Sequence, residues 1–310
     1  MSFTQEVKRE LAAVVPADEA GRRAQLSGLL FGAGTFEIAS GGEYTVRVSV
    51  SLPAVARSLL SLLKPLGVAA EVRTVETPPT GLRYEVVLGD RARHLQVLNE
   101  TGVLSDAFRV QWSLPQRLVE GRGCAAAFAR GAFLGCGSIS PPGAAVHAEF
   151  TVESAEFAAG LATLLRRLGL EFHVTERGRN VACYSKRGET AADLLAMLGA
   201  HDARLRWEEQ AVLVRVRERA NRLANCDQAN AERAARASLR QLRAARAVLP
   251  DDRAAGLPGG LRAAAELRLK YPYLSVGELA ARARPPLSTS ALRHRLRRLE
   301  AVAREWGAAP

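Results

Sequence analysis

The sequence of 310 residues has little that would place it in a membrane or export it. It lacks an uninterrupted apolar run long enough to span a bilayer. Its first ten residues lack the charged, apolar and small-residue order of a signal peptide, and instead have the pattern of a short amphipathic helix. We therefore expect a soluble protein with no membrane partner, cytoplasmic by default.

Cysteine is equally scarce. The four cysteines are Cys124, Cys136, Cys183 and Cys226, and no two of them have the C-x-x-C spacing. They form no zinc-binding pattern with the five scattered histidines. We predict buried, reduced thiols, no bound metal and no cofactor.

Acidic residues are under-represented at one end of the chain. Residues 1–215 carry 24 basic and 23 acidic side chains, whereas residues 216–310 carry 19 and 9. Nearly all of the net charge of +11 therefore lies in the last third. A neutral body with a basic end is typical of a protein that binds a polyanion. High-GC coding would exchange Lys for Arg throughout the chain, but it would not concentrate the excess at one end.

Acidic residues are also missing from an internal repeat. Residues 24–36 and 127–139 each show a short apolar helix pattern that ends in Gly-x-Gly and leads into a strand-like run. The residue between the glycines is Ala33 in the first copy and Cys136 in the second. The repeat predicts a duplicated core whose glycines let two helix backbones approach closely.

Each copy continues in an order that we predict as α-β-β-α-β-β-α, so the two copies form one α+β domain. Turns are expected at 40–43 and 78–81, and a strand at 145–152. Beyond them, a helix rich in Ala, Arg and Leu is predicted to break near 221–225. The predicted domains are an N-terminal helix (1–19), the first repeat (20–115), the second repeat (116–204), a helical connector with a linker (205–260) and an all-α domain (261–310).

The all-α domain predicts three short helices, two of them with clear start signals. Ser275 is expected to cap the second helix, and Glu278 three residues later completes a capping box. The third helix begins at Ser288, with Leu287 placed as a hydrophobic staple. Its packed face is expected to carry Leu292, Leu296 and Leu299.

The opposite face of this third helix is basic and polar. It carries Ser290, His294 and Arg297, with Arg293 and Arg298 beside them. This layout predicts a helix-turn-helix whose third helix enters the DNA major groove. A solvated basic helix, or a basic face that docks a protein, stays an alternative. The predicted DNA-binding residues, within a helix-turn-helix from about Ser275 to Arg304, are Ser288, Thr289, Ser290, Arg293, His294, Arg297, Arg298 and Arg295, which lies nearer the packed side and reaches for a phosphate.

The two glycine-ended helices, at residues 26–34 and 129–137, resemble the LAGLIDADG motif of homing endonucleases. The resemblance implies saddle-shaped antiparallel sheets and a divalent metal held by the last acid of each motif. The matching residues here are Ala33 and Cys136, and neither a methyl group nor a thiol suits Mg²⁺. We therefore predict no catalytic residues and no nuclease activity. The acids that could in principle replace the missing ligands, although no spacing singles them out, are Glu37, Glu149 and Glu153.

Such a body followed by a helix-turn-helix resembles the WhiA family of bacterial regulators over essentially the whole chain. The connector and C-terminal strings are the specific part of this resemblance. Thr289 departs from the family pattern, because a Lys is common there, and its absence removes one phosphate contact. The strings that carry the resemblance are residues 2–11, 222–230, 265–272, 275–280 and 287–296.

The resemblance implies a sequence-specific transcription regulator of sporulation, cell division and chromosome segregation, associated with the nucleoid. It implies a short GACAC-like promoter motif in double-stranded DNA, read mainly by the C-terminal domain. In actinobacteria it also implies cooperation with a WhiB-type iron–sulfur protein. No enzyme activity is expected.

Three other functions fit parts of the sequence. An active nuclease is opposed by Ala33 and Cys136. Nucleotide binding is opposed because neither Gly-x-Gly continues into a dinucleotide fingerprint or a P-loop. A nucleoid-associated interaction or sensor protein, whose body binds a partner or ligand, stays open. Arg47, Arg73 and Arg83 could line the expected saddle, although the near-neutral body favours at most weak DNA contact.

Overall fold

The computed structural model of the chain contains two compact units, Met1–Arg215 and Val216–Pro310. No helix in the described part of the chain is long and apolar enough to cross a membrane. The sequence predicts two turns and the start of a strand at 40–42, 78–80 and 145–147, which lie outside the described residues. The described residues are 2–39, 43–77, 81–88, 91–144 and 148–307.

The first unit is a duplicated α+β fold, as predicted. An N-terminal helix, α1 (Phe3–Ala12), precedes two copies of the order α-β-β-α-β-β-α. The first copy comprises α2 (Glu19–Ala33), β1 (Gly34–Ala39), β2 (Glu43–Val50), α3 (Pro53–Leu63), β3 (Ala70–Thr77), β4 (Gly81–Leu88) and α4 (Arg91–Glu100). The second comprises α5 (Arg122–Cys136), β5 (Gly137–Ile139), β6 (Ala148–Val152), α6 (Ala155–Arg167), β7 (His173–Arg177), β8 (Asn180–Ser185) and α7 (Gly188–Leu198).

Each copy forms one antiparallel four-stranded sheet, with the orders β1-β2-β4-β3 and β5-β6-β8-β7. Alternation along β2 separates the two faces of the first sheet. Val46 and Val48 are fully buried on the core face, whereas Arg47 between them is exposed on the other face. Val48 pairs with Val86 of β4, which is also fully buried. The first sheet therefore has one face packed on helices and one face left open.

Aromatic rings join the two copies into one core. Phe31 of α2 stacks on Phe157 of α6, with ring centroids 5.1 Å apart. The same ring lies 6.3 Å from the ring of Phe128 on α5. Burial of each such side chain stabilises the fold by about 1.5–3 kcal/mol. The buried residues of both copies form a single hydrophobic cluster, so the repeats fold as one body.

One helix, α8 (His201–Val248), runs through the region where the sequence predicts a break. The predicted break near 221–225 is therefore wrong. Each of the two asparagines there costs a helix only about 0.5 kcal/mol relative to alanine, and the surrounding Ala, Arg, Leu and Glu residues favour a helix. The i,i+4 ion pair between Arg222 and Glu218 supports the same segment.

The second unit packs the last turns of α8 against α9 (Gly259–Lys270), α10 (Val276–Arg282) and α11 (Thr289–Glu305). The leucines predicted for the packed face of α11 are all buried. The predicted connector (205–260) thus contributes to this core through Ala244, Ala245 and Val248, near the end of α8. The core includes Ala244, Ala245, Val248, Leu261, Ala265, Leu279, Leu292, Leu296 and Leu299.

Candidate nucleic-acid interface

The second helix of the predicted helix-turn-helix is held by the capping box read from the sequence. The Ser275 side chain accepts the Glu278 backbone N–H at 3.3 Å, and the Glu278 carboxylate accepts the Ser275 N–H at 2.8 Å. These hydrogen bonds lower the pKa of Glu278. Two backbone donors that the helix itself cannot pair are thereby satisfied, which fixes where α10 begins.

The turn into α11 is tied to α10 by a main-chain bond. The Leu287 N–H donates to the Ala280 carbonyl at 3.0 Å, and Leu287 packs on the core as the predicted staple. Ser288 caps α11, its hydroxyl accepting the Ala291 N–H at 3.1 Å. The start of α11 is therefore held in place by α10 rather than free to fray.

The first turns of α11 present the predicted DNA-binding residues to solvent. Arg295 differs from the rest: it is half-buried and its guanidinium lies against Gly260, where an added Cβ would come within 3.1 Å of the Arg295 Cζ. The structure thus supports its predicted position nearer the packed side. The exposed members are Ser288, Thr289, Ser290, Arg293, His294, Arg297 and Arg298.

A buried arginine that the sequence does not single out supports this arrangement. Arg268 on α9 is 1% exposed. Its guanidinium donates to the Leu274 carbonyl at 2.6 Å and to the Gln241 side-chain oxygen at 2.7 Å. It thereby links α8, α9 and the turn before α10. Arginines usually lie on protein surfaces, so the sequence gives no reason to expect Arg268 to be buried. Its burial becomes visible only in the packing of the three segments around it.

The two motif helices of the body, α2 and α5, pack through glycines. A Cβ added at Gly28 would lie 2.0 Å from the Phe128 carbonyl oxygen, and one at Gly131 would lie 1.9 Å from the Gln25 carbonyl oxygen. Because Gly28 and Gly131 have no side chain, the main chains of α2 and α5 can touch at these points. The sequence predicts a close approach at the Gly-x-Gly pairs, but the tightest contacts lie one turn earlier.

The glycines of the two Gly-x-Gly pairs have separate roles. Gly32 and Gly135 belong to the helix contact, since an added Cβ at either would come within 2.9 Å of the other helix's main chain. Gly34 and Gly137 end their helices instead, with extended backbone and N–H groups that donate to Leu30 and Phe133.

The residues that match the metal-binding acids of the LAGLIDADG motif, Ala33 and Cys136, offer no hard oxygen ligands. Ala33 has only a methyl group, and the Cys136 thiol donates to the Ala132 carbonyl at 3.2 Å. Burial raises the pKa of Cys136 to about 12, so the thiol stays protonated. Within the described ranges, no group of three or more His, Cys, Asp or Glu side chains could hold a metal ion.

A lysine stands beside one of these positions. Lys8 of α1 is buried, and its amine donates to the Gly135 carbonyl at 3.4 Å. Burial lowers the pKa of Lys8 to about 8, while the neighbouring Cys136 opposes that shift. A cationic amine at the carboxyl end of α5 interacts favourably with the last carbonyls of that helix. It also makes the place electrostatically unfavourable for a second cation.

The acids considered as replacement ligands lie on or just after two strands, β1 and β6. Glu149 is nearly buried and its carboxylate pairs with Arg177 at 2.9 Å. Glu153 is exposed just after β6. The backbone of Glu37 lies in β1 opposite Thr45.

The arginines suggested for the open face of the first sheet do share one face. Arg47 and Arg83 lie on neighbouring strands, and Arg73 lies on the edge strand opposite Glu85. Arg73 pairs with Glu71 at 2.8 Å, and Arg83 donates to Ser49. The face mixes both signs of charge, which matches the near-neutral body.

Family models match three parts of the chain. The matched descriptions are a WhiA N-terminal LAGLIDADG-like domain at 19–104, a WhiA LAGLIDADG-like domain at 125–217 and a WhiA C-terminal HTH domain at 220–303. A "probable cell division protein WhiA" of Clostridium novyi (strain NT) is 33% identical, with 98% of each chain covered. A protein of the same description from Alkaliphilus metalliredigens (strain QYMF) is 33% identical, with 99% of each chain covered.

A solved structure shows the same fold. The crystal structure of full-length DUF199/WhiA from Thermatoga maritima superposes with a TM-score of 0.56. It is 22% identical and the match covers 98% of this chain and 99% of that one.

Proposed function

The chain belongs to the WhiA family, and from this premise we propose that it is a sequence-specific DNA-binding transcription regulator. The observation that carries the proposal is the basic, exposed start of α11, held in place by the capped turn and the buried leucines behind it. An arginine-bearing helix presented in this way fits the major groove of double-stranded DNA.

Within this proposal the residues of α11 divide by position. Ser290, Arg293 and Arg297 reach base edges in the groove, where an arginine can donate two hydrogen bonds to guanine. Arg298 and the half-buried Arg295 hold phosphates and set the orientation of the helix. Thr289 can donate only a neutral hydroxyl hydrogen bond to a phosphate, without the charge that a lysine would add.

The test is binding of full-length protein to a labelled duplex with a GACAC-like motif and to a scrambled duplex. We expect Arg293→Ala and Arg297→Ala each to weaken binding to the motif by about 1–3 kcal/mol and to reduce the preference over the scrambled duplex. Arg236→Ala is the matched control, because Arg236 is an exposed arginine of the same unit that pairs with Glu232 on α8. If both α11 variants bind the motif as the unchanged protein does, α11 is not the reading helix.

The biological role proposed here is control of genes for cell division, chromosome segregation and sporulation. The relatives from Clostridium and Alkaliphilus are described as probable cell division proteins, which supports the first of these. Sporulation, chromosome segregation and cooperation with a WhiB-type iron–sulfur protein rest on the family resemblance. Chromatin immunoprecipitation of the tagged chain checks the gene set, and a WhiB-type protein that fails to bind in pull-downs would remove that partner.

We further propose that the chain is not a nuclease. Ala33, the protonated Cys136 thiol and the buried Lys8 amine support this, because they supply no carboxylate and place a cation where a metal would compete. We expect no cleavage of supercoiled or motif-containing plasmid with Mg²⁺ or Mn²⁺. Robust metal-dependent cleavage by protein free of contaminating nuclease would contradict the proposal.

The alternative function is a nucleoid-associated interaction or sensor protein, whose body binds a partner or ligand. The mixed charges on the open face of the first sheet favour it, since they are unsuited to tight DNA binding. In the duplex experiment it predicts binding that falls steeply with salt but does not distinguish the motif from the scrambled sequence. Under either function we propose that the protein acts in the cytoplasm, at the nucleoid. The domain boundaries that we propose lie near residues 20, 116, 205 and 261.

A further inference from the structure

The first unit has a cavity of about 670 Å³ beside the start of α5. Three segments line it: the first turns of α5, the residues that follow α6, and the second half of α7. Its volume lies within the range of about 300–1,000 Å³ that is usual for sites of small organic ligands. We call it the α5–α7 cavity.

The buried part of the lining is apolar. Leu168 and Leu170 are 7% and 4% exposed, and Met197 packs partly buried on the same hydrophobic core. Apolar contact of this kind supplies much of the binding free energy in small-ligand sites. The methionine side chain is flexible and polarisable, so it can adapt to the shape of an apolar group. The ligand should therefore have an apolar body.

The exposed part of the lining carries one charge of each sign. Arg122 begins α5 and Asp193 lies on α7, and both are exposed. Within the described residues, neither side chain has a hydrogen-bond or ion-pair partner. They do not pair with each other although they line the same cavity, so a gap separates the guanidinium from the carboxylate.

This pair of separated charges is complementary to a ligand that also carries both signs. A ligand carboxylate can accept two hydrogen bonds from the Arg122 guanidinium, and a ligand ammonium can donate to the Asp193 carboxylate. The two ligand charges must themselves stand apart, because the gap in the cavity separates their partners. A dipeptide meets this requirement better than a single amino acid, whose ammonium and carboxylate share one carbon.

We propose that the α5–α7 cavity binds a short apolar peptide with free termini, whose carboxylate pairs with Arg122 and whose ammonium pairs with Asp193. The cavity belongs to the first unit, whereas the proposed DNA-reading helix α11 belongs to the second. The proposal therefore goes beyond DNA binding and gives the alternative function, a body that binds a ligand, a chemical class for that ligand. Peptide binding and duplex binding are measured separately, so either can fail without the other.

Equilibrium dialysis of the full-length chain against the dipeptide leucyl-phenylalanine tests the proposal, with bound peptide measured by mass spectrometry. We expect a dissociation constant of about 0.1 mM, which is ordinary for a ligand of this size. Two matched probes, the N-acetylated dipeptide and the dipeptide amide, each lack one terminal charge. Each should bind about fivefold more weakly, because it loses one charge-assisted contact at an exposed site.

Two substitutions assign the ends of the peptide. Arg122→Met should weaken binding of the free dipeptide about fivefold and leave the dipeptide amide unaffected, because the amide has no carboxylate to lose. Asp193→Asn should weaken the free dipeptide to a similar extent and leave the N-acetylated form unaffected. Arg57→Met is the matched control, since Arg57 is an exposed arginine of the body outside the cavity. It should bind all three peptides as the unchanged protein does.

Gly123→Leu fills the cavity. A Cβ added at Gly123 meets no atom within 4 Å, and leucine favours a helix more than glycine does, so the variant should fold. We expect it to weaken binding of the dipeptide at least about tenfold, because the leucine side chain takes the space of the ligand. Gly259→Leu is the control: it makes the same exchange in the first turn of α9, where an added Cβ also meets nothing.

Three results would overturn the proposal. They are a free dipeptide that does not bind at millimolar concentration, free and blocked dipeptides that bind equally, and binding that Gly123→Leu leaves intact in a protein that circular dichroism shows to be folded. Phenylalanine that binds as tightly as the dipeptide would also contradict it, because the cavity would then recognise an amino acid rather than a peptide.

Discussion

Among the side chains that the structure describes, each unit has one buried lysine or arginine, and the two are held very differently. In the body, Lys8 makes one long hydrogen bond of 3.4 Å to a carbonyl. In the C-terminal unit, Arg268 makes two short bonds, of 2.6 and 2.7 Å, to a carbonyl and a glutamine oxygen. Burial lowers the pKa of both side chains. We therefore expect the number of acceptors, more than burial, to decide whether each of these charges stabilises its surroundings.

The largest effect should come from Arg268→Met. Removing the guanidinium leaves the Leu274 carbonyl and the buried Gln241 side chain without a donor, and each unpaired group costs about 1–3 kcal/mol. We expect the second unit to lose about 3 kcal/mol of unfolding free energy. Hydrogen exchange of peptides from α9 and α11, followed by mass spectrometry, measures this loss. If hydrogen exchange of these peptides is unchanged in Arg268→Met, the two hydrogen bonds of Arg268 do not stabilise the second unit.

Lys8→Met should act in the opposite direction. The methionine keeps most of the volume and removes a buried charge with one weak acceptor, so we expect the body to gain about 2 kcal/mol at pH 7. Hydrogen exchange of α5 peptides is the readout. Destabilisation by Lys8→Met would show that the amine is a needed donor and would remove the contrast with Arg268.

The lowered pKa of Lys8 predicts that the unfolding free energy depends on pH, and Lys8→Met tests this. The pKa of Lys8 is about 8 in the folded chain and 10.5 as the ordinary value, so between these pH values the unfolded chain binds more protons. The Lys8 protein should therefore gain stability as pH rises from 8 to 10.5, while Lys8→Met lacks this gain. The advantage of Lys8→Met should shrink over that window. A constant difference between the two proteins from pH 7 to 10.5 would argue against a lowered pKa.

The smallest effect is expected for Gln241→Ala. It removes one of the two acceptors of Arg268 and leaves the Leu274 carbonyl in place. We expect the second unit to lose about 1.5 kcal/mol, roughly the value of one hydrogen bond to a charged group. In the double variant with Arg268→Met the losses should not add, because both remove the same bond. Simple additivity would indicate that the bond contributes nothing.

Local patterns were enough to predict most of the fold. The paired Gly-x-Gly motifs and alternating strands predict the duplicated order of elements, and the Ser275–Glu278 box predicts the start of α10. The break near 221–225 was predicted wrongly, because two asparagines are too weak to interrupt strong helix formers on both sides. The functions of the α11 residues stay predictions.

Long-range packing is what the sequence conceals. Nothing local distinguishes Lys8 or Arg268 from a surface cation, since each is buried by segments distant in the chain. The tightest helix contact, at Gly28 and Gly131, is likewise hidden, because which glycine touches a neighbour depends on the crossing point of α2 and α5.

That crossing point limits how the protein can vary. Glycine has no smaller replacement, so every missense change at Gly28 or Gly131 adds a carbon that would lie 2.0 Å or 1.9 Å from a main-chain oxygen. Side chains around the crossing can be exchanged for others of similar volume, but no other amino acid fits at Gly28 or Gly131. We therefore expect substitutions to be tolerated on the surfaces of the two repeats but not at the point where α2 and α5 cross.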